Sequence, residues 1–274
     1  GDGGTVVAWS AIGNPDSVTR VYGTLLARGG PFGGNGGRIE TSGHWLDTSG
    51  VRADAAAPRG LSGLWLLDPV NVTIAGASSA GAFTSGGTTD VWTPSSSGST
   101  ILSSDIAARL NAGTSVTVTT GSVGTDSGDI TIASPVVKSA GAADVSLVFR
   151  AANSIIVNQP ISNTGGTGKL NVTLDADNDN GARNGVGSIA LNSGIRTGGG
   201  SLSFGTGATL TTGGSSRMVG GDVTVGGGDV VTLATSGGSV AFNGELTIGN
   251  PAGLDVLSSG GNVVFGGAGN SGPA

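Results

Sequence analysis

The carboxylates best suited to metal binding lie in one short run, Asp175, Asp177 and Asp179. If the strand predicted over residues 170–174 continues through this run, the three side chains project from one face in steps of about 7 Å. Such a cluster repels itself unless a cation intervenes, and calcium takes oxygen ligands from Asp and Asn at this kind of spacing. A structural calcium ion is therefore a candidate cofactor.

The residues that follow the run exclude an EF-hand. Counting from Asp175, glycine stands at the seventh position (Gly181) instead of the sixth, and Val186 occupies the place of the terminal glutamate. The alternative is a solvated acidic turn balanced by Arg183, and the sequence leaves both interpretations open.

His44 is the only histidine, so a histidine-based catalytic site would have to use it. Asp47 or Asp54 would orient the ring, and Ser42 or Ser49 would be the nucleophile. These neighbours fit a turn between two strands better than a triad. We therefore assign no catalytic residue and expect a protein that is not an enzyme.

The carboxylates outside the acidic run are scattered along the sequence. A β-helical polysaccharide lyase or hydrolase would need clustered carboxylates on one lateral face, whereas here only Asp126 and Asp129 are near neighbours outside the acidic run. Aspartates of this kind favour turns, because they accept hydrogen bonds from the backbone that follows them. Glycan cleavage is therefore the least favoured alternative.

The four tryptophans suggest a second alternative, a glycan-binding module. Trp92 lies in a predicted loop and is the candidate glycan contact. Trp9, Trp45 and Trp65 occupy strand positions, and we expect them to seal either the wide end of the coil or the contact with the helical insert.

Composition narrows the class of protein. The 274 residues include 55 glycines but only 9 prolines, which excludes collagen, and 36% are hydrophobic, too many for a typical disordered chain. A formal charge of −6 without a basic run argues against nucleic-acid binding. The absence of cysteine excludes disulfides and is compatible with export. No apolar run is long enough to span a membrane.

Short strands of alternating small and β-branched residues recur along the chain, for example over residues 5–9 and 115–119, bounded by Gly, Asn, Asp or Ser. Phe204, Phe242 and Phe265 end copies of a Gly-Gly-polar-aliphatic-x-Phe pattern, 38 and 23 residues apart, which favours a repeat near 20. This predicts an all-β, right-handed parallel β-helix (β-solenoid) of roughly 13 coils on the order of 60 Å long, with glycines at the corners. A two-sheet sandwich is the rival fold.

The predicted organisation has three parts. Residues 1–75 form N-terminal coils, residues 76–114 an insert, and residues 115–274 the C-terminal coils. Within the insert, the Ser/Thr/Gly-rich composition of the stretch from Ser78 to Ser99 predicts a loop. A short helix follows, with Ser103 or Ser104 as its N-cap and Gly113 as its stop.

Two motifs carry a resemblance to a known family. Residues 36–44 read GGRIETSGH, and residues 63–69 read GLWLLDP and are followed by Val72, Thr73 and Ile74. With the helix and the continuation NAGTSVTV at residues 111–118, they resemble the filamentous-haemagglutinin-like exoproteins of Gram-negative bacteria, adhesins of the two-partner secretion type. The likeness covers roughly residues 3–132.

The resemblance implies a secreted parallel β-helix at the bacterial cell surface or in an extracellular matrix, exported through an outer-membrane partner, with no common enzymatic activity. The family's N-terminal secretion domain is not present in this sequence, and such proteins are usually far longer. We therefore expect a segment of a longer precursor rod, or a processed subunit.

Neither end of the sequence supplies the polar or helical cap with which solenoids normally terminate. The sequence therefore predicts a non-catalytic structural rod of an adhesin or biofilm-matrix fibre, either continued by the rest of a precursor or stacked end to end with other copies into filaments. The residues expected at those contacts are Thr5, Val6, Val7, Val263, Val264 and Phe265.

Overall fold

The chain folds into short β-strands joined by turns, and parallel pairing dominates. The computed structural model describes residues 1–78, 81–85, 90–94, 98–122, 126–178, 187–204, 209–213, 217–225, 230–236, 240–242, 246–248, 253–259 and 263–265. Side chains are described within 1–78, 98–122, 126–178 and 187–200, apart from Arg196 and Gly199.

The strands form three stacks, which the chain visits in turn, so that each layer takes its strands from successive stacks. The first stack contains β1 (Thr5–Trp9), β4 (Arg38–Ser42), β7 (Leu64–Asp68), β12 (Ser115–Thr119), β15 (Val145–Arg150), β18 (Leu170–Asp175), β20 (Ile195–Phe204), β22 (Arg217–Val225) and β25 (Leu246–Ile248). The second contains β8 (Val72–Ala75), β11 (Ser99–Leu102), β13 (Ile130–Ile132), β16 (Ile155–Val157), β19 (Ser188–Leu191), β21 (Thr209–Gly213), β23 (Val230–Ser236) and β26 (Gly253–Ser259).

The third stack contains β14 (Val136–Lys138), β17 (Ile161–Asn163), the first residues of β20 and β22, β24 (Val240–Phe242) and β27 (Val263–Phe265). The long strands β20 and β22 run through both the first and third stacks, which therefore form one 13-stranded sheet. Near the N-terminus, β2 (Val18–Arg20) pairs with β5 (Trp45–Asp47), and β3 (Thr24–Leu26) pairs with β6 (Arg52–Asp54).

The predicted loop between Ser78 and Ser99 contains regular structure. β9 (Gly81–Ser85) and β10 (Asp90–Pro94) form an antiparallel hairpin, and β11 then pairs in parallel with β8. The prediction of a loop was wrong because Ser, Thr and Gly mark turns, yet a hairpin needs only two short strands around one turn.

The predicted helix is confirmed as α1 (Ser103–Asn111). Its N-cap is Leu102, which makes no side-chain cap, so the prediction of a serine cap was wrong. The predicted stop at Gly113 is confirmed: its φ is +85°, its N–H donates to the Leu110 carbonyl, and the Thr114 N–H donates to the Arg109 carbonyl. These two bonds form a Schellman motif. In the described part of the chain, no helix has the length and apolar character needed to cross a membrane.

The core is built from ladders of aligned apolar residues. In the first stack the register places nine residues in line, one from each layer: Val6, Ile39, Trp65, Val116, Leu147, Val172, Leu202, Val223 and Leu246. From Ile39 to Val172 these side chains are completely buried. A single apolar cluster runs from Val21 to Ile195 and joins the layers into one interior.

Among the described strands, the number of layers is smaller than predicted. The first stack has nine aligned strands among the described residues, against the roughly 13 coils expected. The C-terminal layers advance by 21 or 23 residues, as from Leu202 to Val223 to Leu246, but Val116 pairs with Leu147, 31 positions later. The repeat length of about 20 came from the C-terminal glycine motifs, and it is too short for the N-terminal layers, whose corners contain more residues.

The phenylalanine repeat is only partly a structural repeat. Phe242 pairs with Phe265 in the third stack, which confirms the 23-residue step. Phe204 lies in the first stack and pairs with Val225, so it is not aligned with Phe242. The 38-residue spacing joins two different stacks and does not measure two turns.

Glycine is required where the layers approach most closely. A Cβ on Gly37 would lie 2.0 Å from the carbonyl oxygen of Gly4, and a Cβ on Gly200 would lie 2.1 Å from that of Leu170. Both glycines lie at the corner that leads into the first stack. The predicted positive φ is found at other corners, whereas here the requirement is for backbone contact without a side chain.

Candidate assembly edge

The first layer exposes part of the apolar interior. Among the described strands, β1 pairs only with β4, which places the predicted contact residues Thr5, Val6 and Val7 at one edge of the main sheet. Val6 and Ala8 point inward but are only half-buried, whereas Ile39, in line with Val6 one layer below, is completely buried. No described strand covers the interior above β1.

The hydrogen-bonding groups of β1 alternate between the sheet and the open edge. Ser10 N–H donates to the Ser42 carbonyl, and Arg38 N–H donates to the Gly4 carbonyl. In a parallel ladder this alternation directs the N–H groups of Thr5, Val7 and Trp9 away from β4. The edge therefore presents three donors with the spacing of a further parallel strand.

The opposite edge is formed by the last strand of each stack. In the described part of the chain, β25 pairs with β22, β26 with β23, and β27 with β24. This places the predicted contact residues Val263, Val264 and Phe265 in a terminal strand. The surroundings of their side chains lie outside the described residues.

Charged groups tie the first layer to the second. Arg20 Nε lies 3.4 Å from Asp47 Oδ2, and the Tyr22 hydroxyl donates to the same oxygen at 2.9 Å. Arg28 Nη1 lies 3.2 Å from Asp54 Oδ2. Both carboxylates are buried at strand ends. The edge layer is thus held in place by two ion pairs in addition to its ladder.

These contacts set the ionisation of Asp47 and Tyr22. Burial acts to raise the pKa of Asp47, but hydrogen bonds from Ser49, Tyr22 and Arg20 outweigh it and hold the pKa below its ordinary value. Burial and the bond to Asp47 raise the pKa of Tyr22. Asp47 therefore stays ionised at neutral pH and supports the first layer, and it stops doing so only as the pH falls through its lowered pKa.

Asp68 at the end of β7 is perturbed in the opposite direction. Burial raises its pKa, the hydrogen bond from Thr119 Oγ1 at 2.7 Å opposes that shift, and the Glu40 carboxylate adds to it. Because native Asp68 keeps its proton to a higher pH than in the unfolded chain, its ionised form costs stability above the native pKa.

Replacing Asp68 with asparagine will therefore raise the melting temperature at pH 7 by roughly 1–3 °C. The amide keeps an acceptor for Thr119 and removes the charge. The gain will vanish below about pH 3.8, where Asp68 is protonated in both states. Melting curves at the two pH values test this, with the exposed Asp16→Asn as the matched control. A variant that melts below the wild type at pH 7 would contradict it.

His44 lies in the predicted turn between β4 and β5 and makes structural contacts. Its Nδ1 is 2.8 Å from the Ile12 carbonyl oxygen, and its Nε2 is 3.6 Å from Asp126 Oδ2. Asp47 and Asp54 are paired with arginines instead. Ser42 is buried and donates to Glu40, while Ser49 donates to Asp47. The residues proposed for a triad thus have other partners.

The burial of the tryptophans differs from the prediction. Trp45 and Trp65 are buried, and Trp65 Nε1 donates to Thr41 Oγ1 at 3.1 Å. Trp9 is 70% exposed on the outer face of β1, so its assignment as a sealing residue was wrong. Trp92 lies in β10, and its side chain is outside the described residues.

The acidic run does not continue the strand. β18 ends at Asp175, and Asp177 follows in a turn with a φ of +55°. The two-residue alternation that would align the carboxylates therefore ends at Asp175. Asp175 accepts a hydrogen bond from Asn178 and lies 3.9 Å from Arg150 Nε. Asp179 and Arg183 lie outside the described residues, so the calcium site stays a prediction.

A buried lysine is the main residue that the sequence analysis missed. Lys138 is completely buried, and its Nζ donates to the carbonyl oxygens of Ala140 and Gly168, both at 2.9 Å. Burial lowers its pKa, and Asp144 opposes that shift. The available signal was alternation, which places Lys138 on the same face of β14 as the buried Val136.

Comparison with known proteins finds no family model and no curated protein that matches the chain. The structure itself defines the class as an all-β protein with parallel sheets.

Proposed function

We propose that the chain is a right-handed parallel β-helix that acts as a stiff, non-catalytic rod and grows in length by stacking layers on its edges. One observation carries this proposal: the inward side chains of the first layer are half-buried, although they lie in line with a ladder that is completely buried below them. The layer that would cover them comes from another copy or from the rest of a longer rod.

The order in which the chain visits the stacks supports the β-helix. β12, β13 and β14 lie in the first, second and third stacks, and β15 then returns to the first stack beside β12. All these pairings are parallel, and crossover connections between parallel strands are right-handed in about 98% of cases. A repeating path of this kind winds the chain into a helix of layers.

Stiffness follows from how the layers are joined. Where the side chains are described, successive layers are joined by backbone ladders, by buried apolar contacts and by polar side chains at the corners. Asn71 Oδ1, for example, accepts the N–H groups of Gly128 and Asp129 from the layer below at 2.9 and 3.0 Å. Bending such a rod would open all three kinds of contact at once.

The proposed location of the rod, outside the cell, is supported by the sequence. The resemblance to filamentous-haemagglutinin-like exoproteins supports an adhesin or biofilm-matrix fibre that is secreted through an outer-membrane partner. The low charge and the lack of cysteine agree with that setting.

Substituting proline for Val7 will abolish stacking on the first layer. The Val7 N–H points to the open edge, so proline removes a donor and obstructs the incoming strand while the β1–β4 bonds remain. Negative-stain electron microscopy of the purified wild type should show filaments one molecule wide, and V7P should show single particles.

The Val7→Thr variant is the matched control, because it keeps the N–H group and a β-branched side chain. It should form filaments as the wild type does. Circular dichroism should show the same β-sheet signal in all three proteins. Wild-type particles that stay single at every concentration, or filaments of V7P as long as those of the wild type, would overturn stacking between copies.

A further inference from the structure

One aromatic side chain is presented to solvent on an ordered turn. Phe32 follows Pro31 in a turn closed by the Gly33 N–H and the Gly30 carbonyl at 3.3 Å, and the Gly30 N–H donates to the Gly1 carbonyl at 2.9 Å. The Phe32 side chain is 92% exposed, the largest exposure among the large hydrophobic residues of the described chain. An aromatic ring on an ordered turn loses little conformational freedom when it binds.

A largely apolar groove lies on the same corner of the molecule, and it extends from Arg28 of the first layer across the three layers below. Its volume is about 320 Å³, and its walls are mainly small residues of three successive layers, Ala57, Pro58, Ala112, Gly113, Ala142 and Ala143. The groove exists because α1 ends in the short turn at Ala112 and Gly113. A Cβ on Gly113 would lie 3.2 Å from the Cβ of Ala143, so the glycine keeps the floor open.

The turn and the groove are neighbours along this corner. Gly29, which precedes the turn, donates its N–H to the Ala56 carbonyl at 3.0 Å, and Ala56 also lines the groove. The ring of Phe32 nevertheless does not fill the groove of its own chain, because it is almost fully exposed. A projecting apolar side chain and an open apolar groove thus lie close together on one surface.

We propose that this corner is a lateral contact between two copies of the chain, in which Phe32 of each copy inserts into the groove of the other. The sizes agree: a cavity of about 150 Å³ suffices for benzene, and the groove offers about 320 Å³. A two-fold axis between the copies would make both insertions at once, because the projection and the groove belong to one surface. Leu61, which is 76% exposed in the next layer, extends the apolar area.

This contact goes beyond the end-to-end stacking proposed above. Stacking on β1 makes a rod longer, whereas insertion of Phe32 joins two rods side by side. The V7P substitution removes end-to-end stacking and leaves the Phe32 contact intact. The two proposals can therefore be tested, and can fail, independently of each other. The small area makes each contact weak, and several along two rods would add through avidity.

Complementation between two variants tests the pairing. Both variants are made in the V7P background. Phe32→Ser keeps an open groove but loses the side chain that inserts. Ala142→Trp keeps Phe32, but the new tryptophan fills its groove. Each alone should associate at least tenfold more weakly than the V7P parent in sedimentation velocity. A mixture with one variant labelled restores one of the two contacts, so it should form heterodimers at least threefold more tightly than either forms homodimers.

The control is Trp9→Ser, which removes an exposed aromatic of the same layer that does not line the groove and should leave association unchanged. Ala142→Leu gives a second, smaller filling of the groove if the tryptophan lowers the melting temperature. Equal association of F32S and the V7P parent would overturn the proposal, as would a mixture no tighter than its components.

Discussion

Replacing Lys138 with methionine will lower the free energy of unfolding by about 1–3 kcal/mol. The ammonium donates to the carbonyls of Ala140 and Gly168, which belong to successive corners, and it lies within 3.5 Å of the Gly141 carbonyl. Methionine fills much of the same volume but donates nothing, so both carbonyls lose a charged donor. The Gly168 carbonyl keeps its bond from Asn163 Nδ2 at 3.1 Å, and Ala140 is exposed to water, which limits the loss. Urea denaturation followed by circular dichroism measures the change.

Lys169→Met is the matched control, because the same substitution is made at an exposed lysine of the next layer. It should change the free energy of unfolding by no more than about 0.5 kcal/mol. A loss of less than about 1 kcal/mol for K138M would show that the corner carbonyls find other donors, and would contradict the role assigned to the lysine.

Substituting alanine for Gly37 will cost about 3 kcal/mol or more. The added Cβ would lie 2.0 Å from the carbonyl oxygen of Gly4, and this carbonyl accepts the Arg38 N–H at 3.0 Å. Backbone on both sides must separate to admit the methyl group, so the bonds that join the first two layers are lost. If the first layer is the stacking surface, G37A should also reduce filament formation.

Gly13→Ala is the control, because no atom would lie within 4 Å of its Cβ and the glycine is exposed. Its melting temperature should stay within about 2 °C of the wild type. If G37A has the same melting temperature as the Gly13→Ala control, the corner accommodates a side chain without loss of stability. The close approach would then not explain the glycine.

Local patterns predicted individual elements well. The strands expected over residues 5–9 and 115–119 are confirmed with the same bounds as β1 and β12, and the helix is confirmed with its glycine stop. Alternation, helical spacing and the αL preference of glycine act within a few residues, so they can be read without knowing the fold.

The relation between elements was harder to predict. Phe204 and Phe242 share a motif, yet they lie in different stacks because corner lengths, and not motif spacing, decide where a strand joins. Val6 and Trp65 lie in one inward-facing ladder, but of the two only Trp65 has described layers on both sides. Burial therefore depended on the number of neighbouring layers, which a local pattern does not contain.

The sequence by itself determined the parallel all-β class, the short strands, the single described helix and the small, weakly charged side chains that a narrow layered interior requires. Only the tertiary structure decided which residues meet across layers: the lysine buried against two corners, the glycine pressed on a carbonyl, the half-covered interior at β1 and the groove beneath Phe32. The physical reason is that strand formation depends on nearest neighbours in the chain. These contacts depend on register between segments about 20 to 50 residues apart.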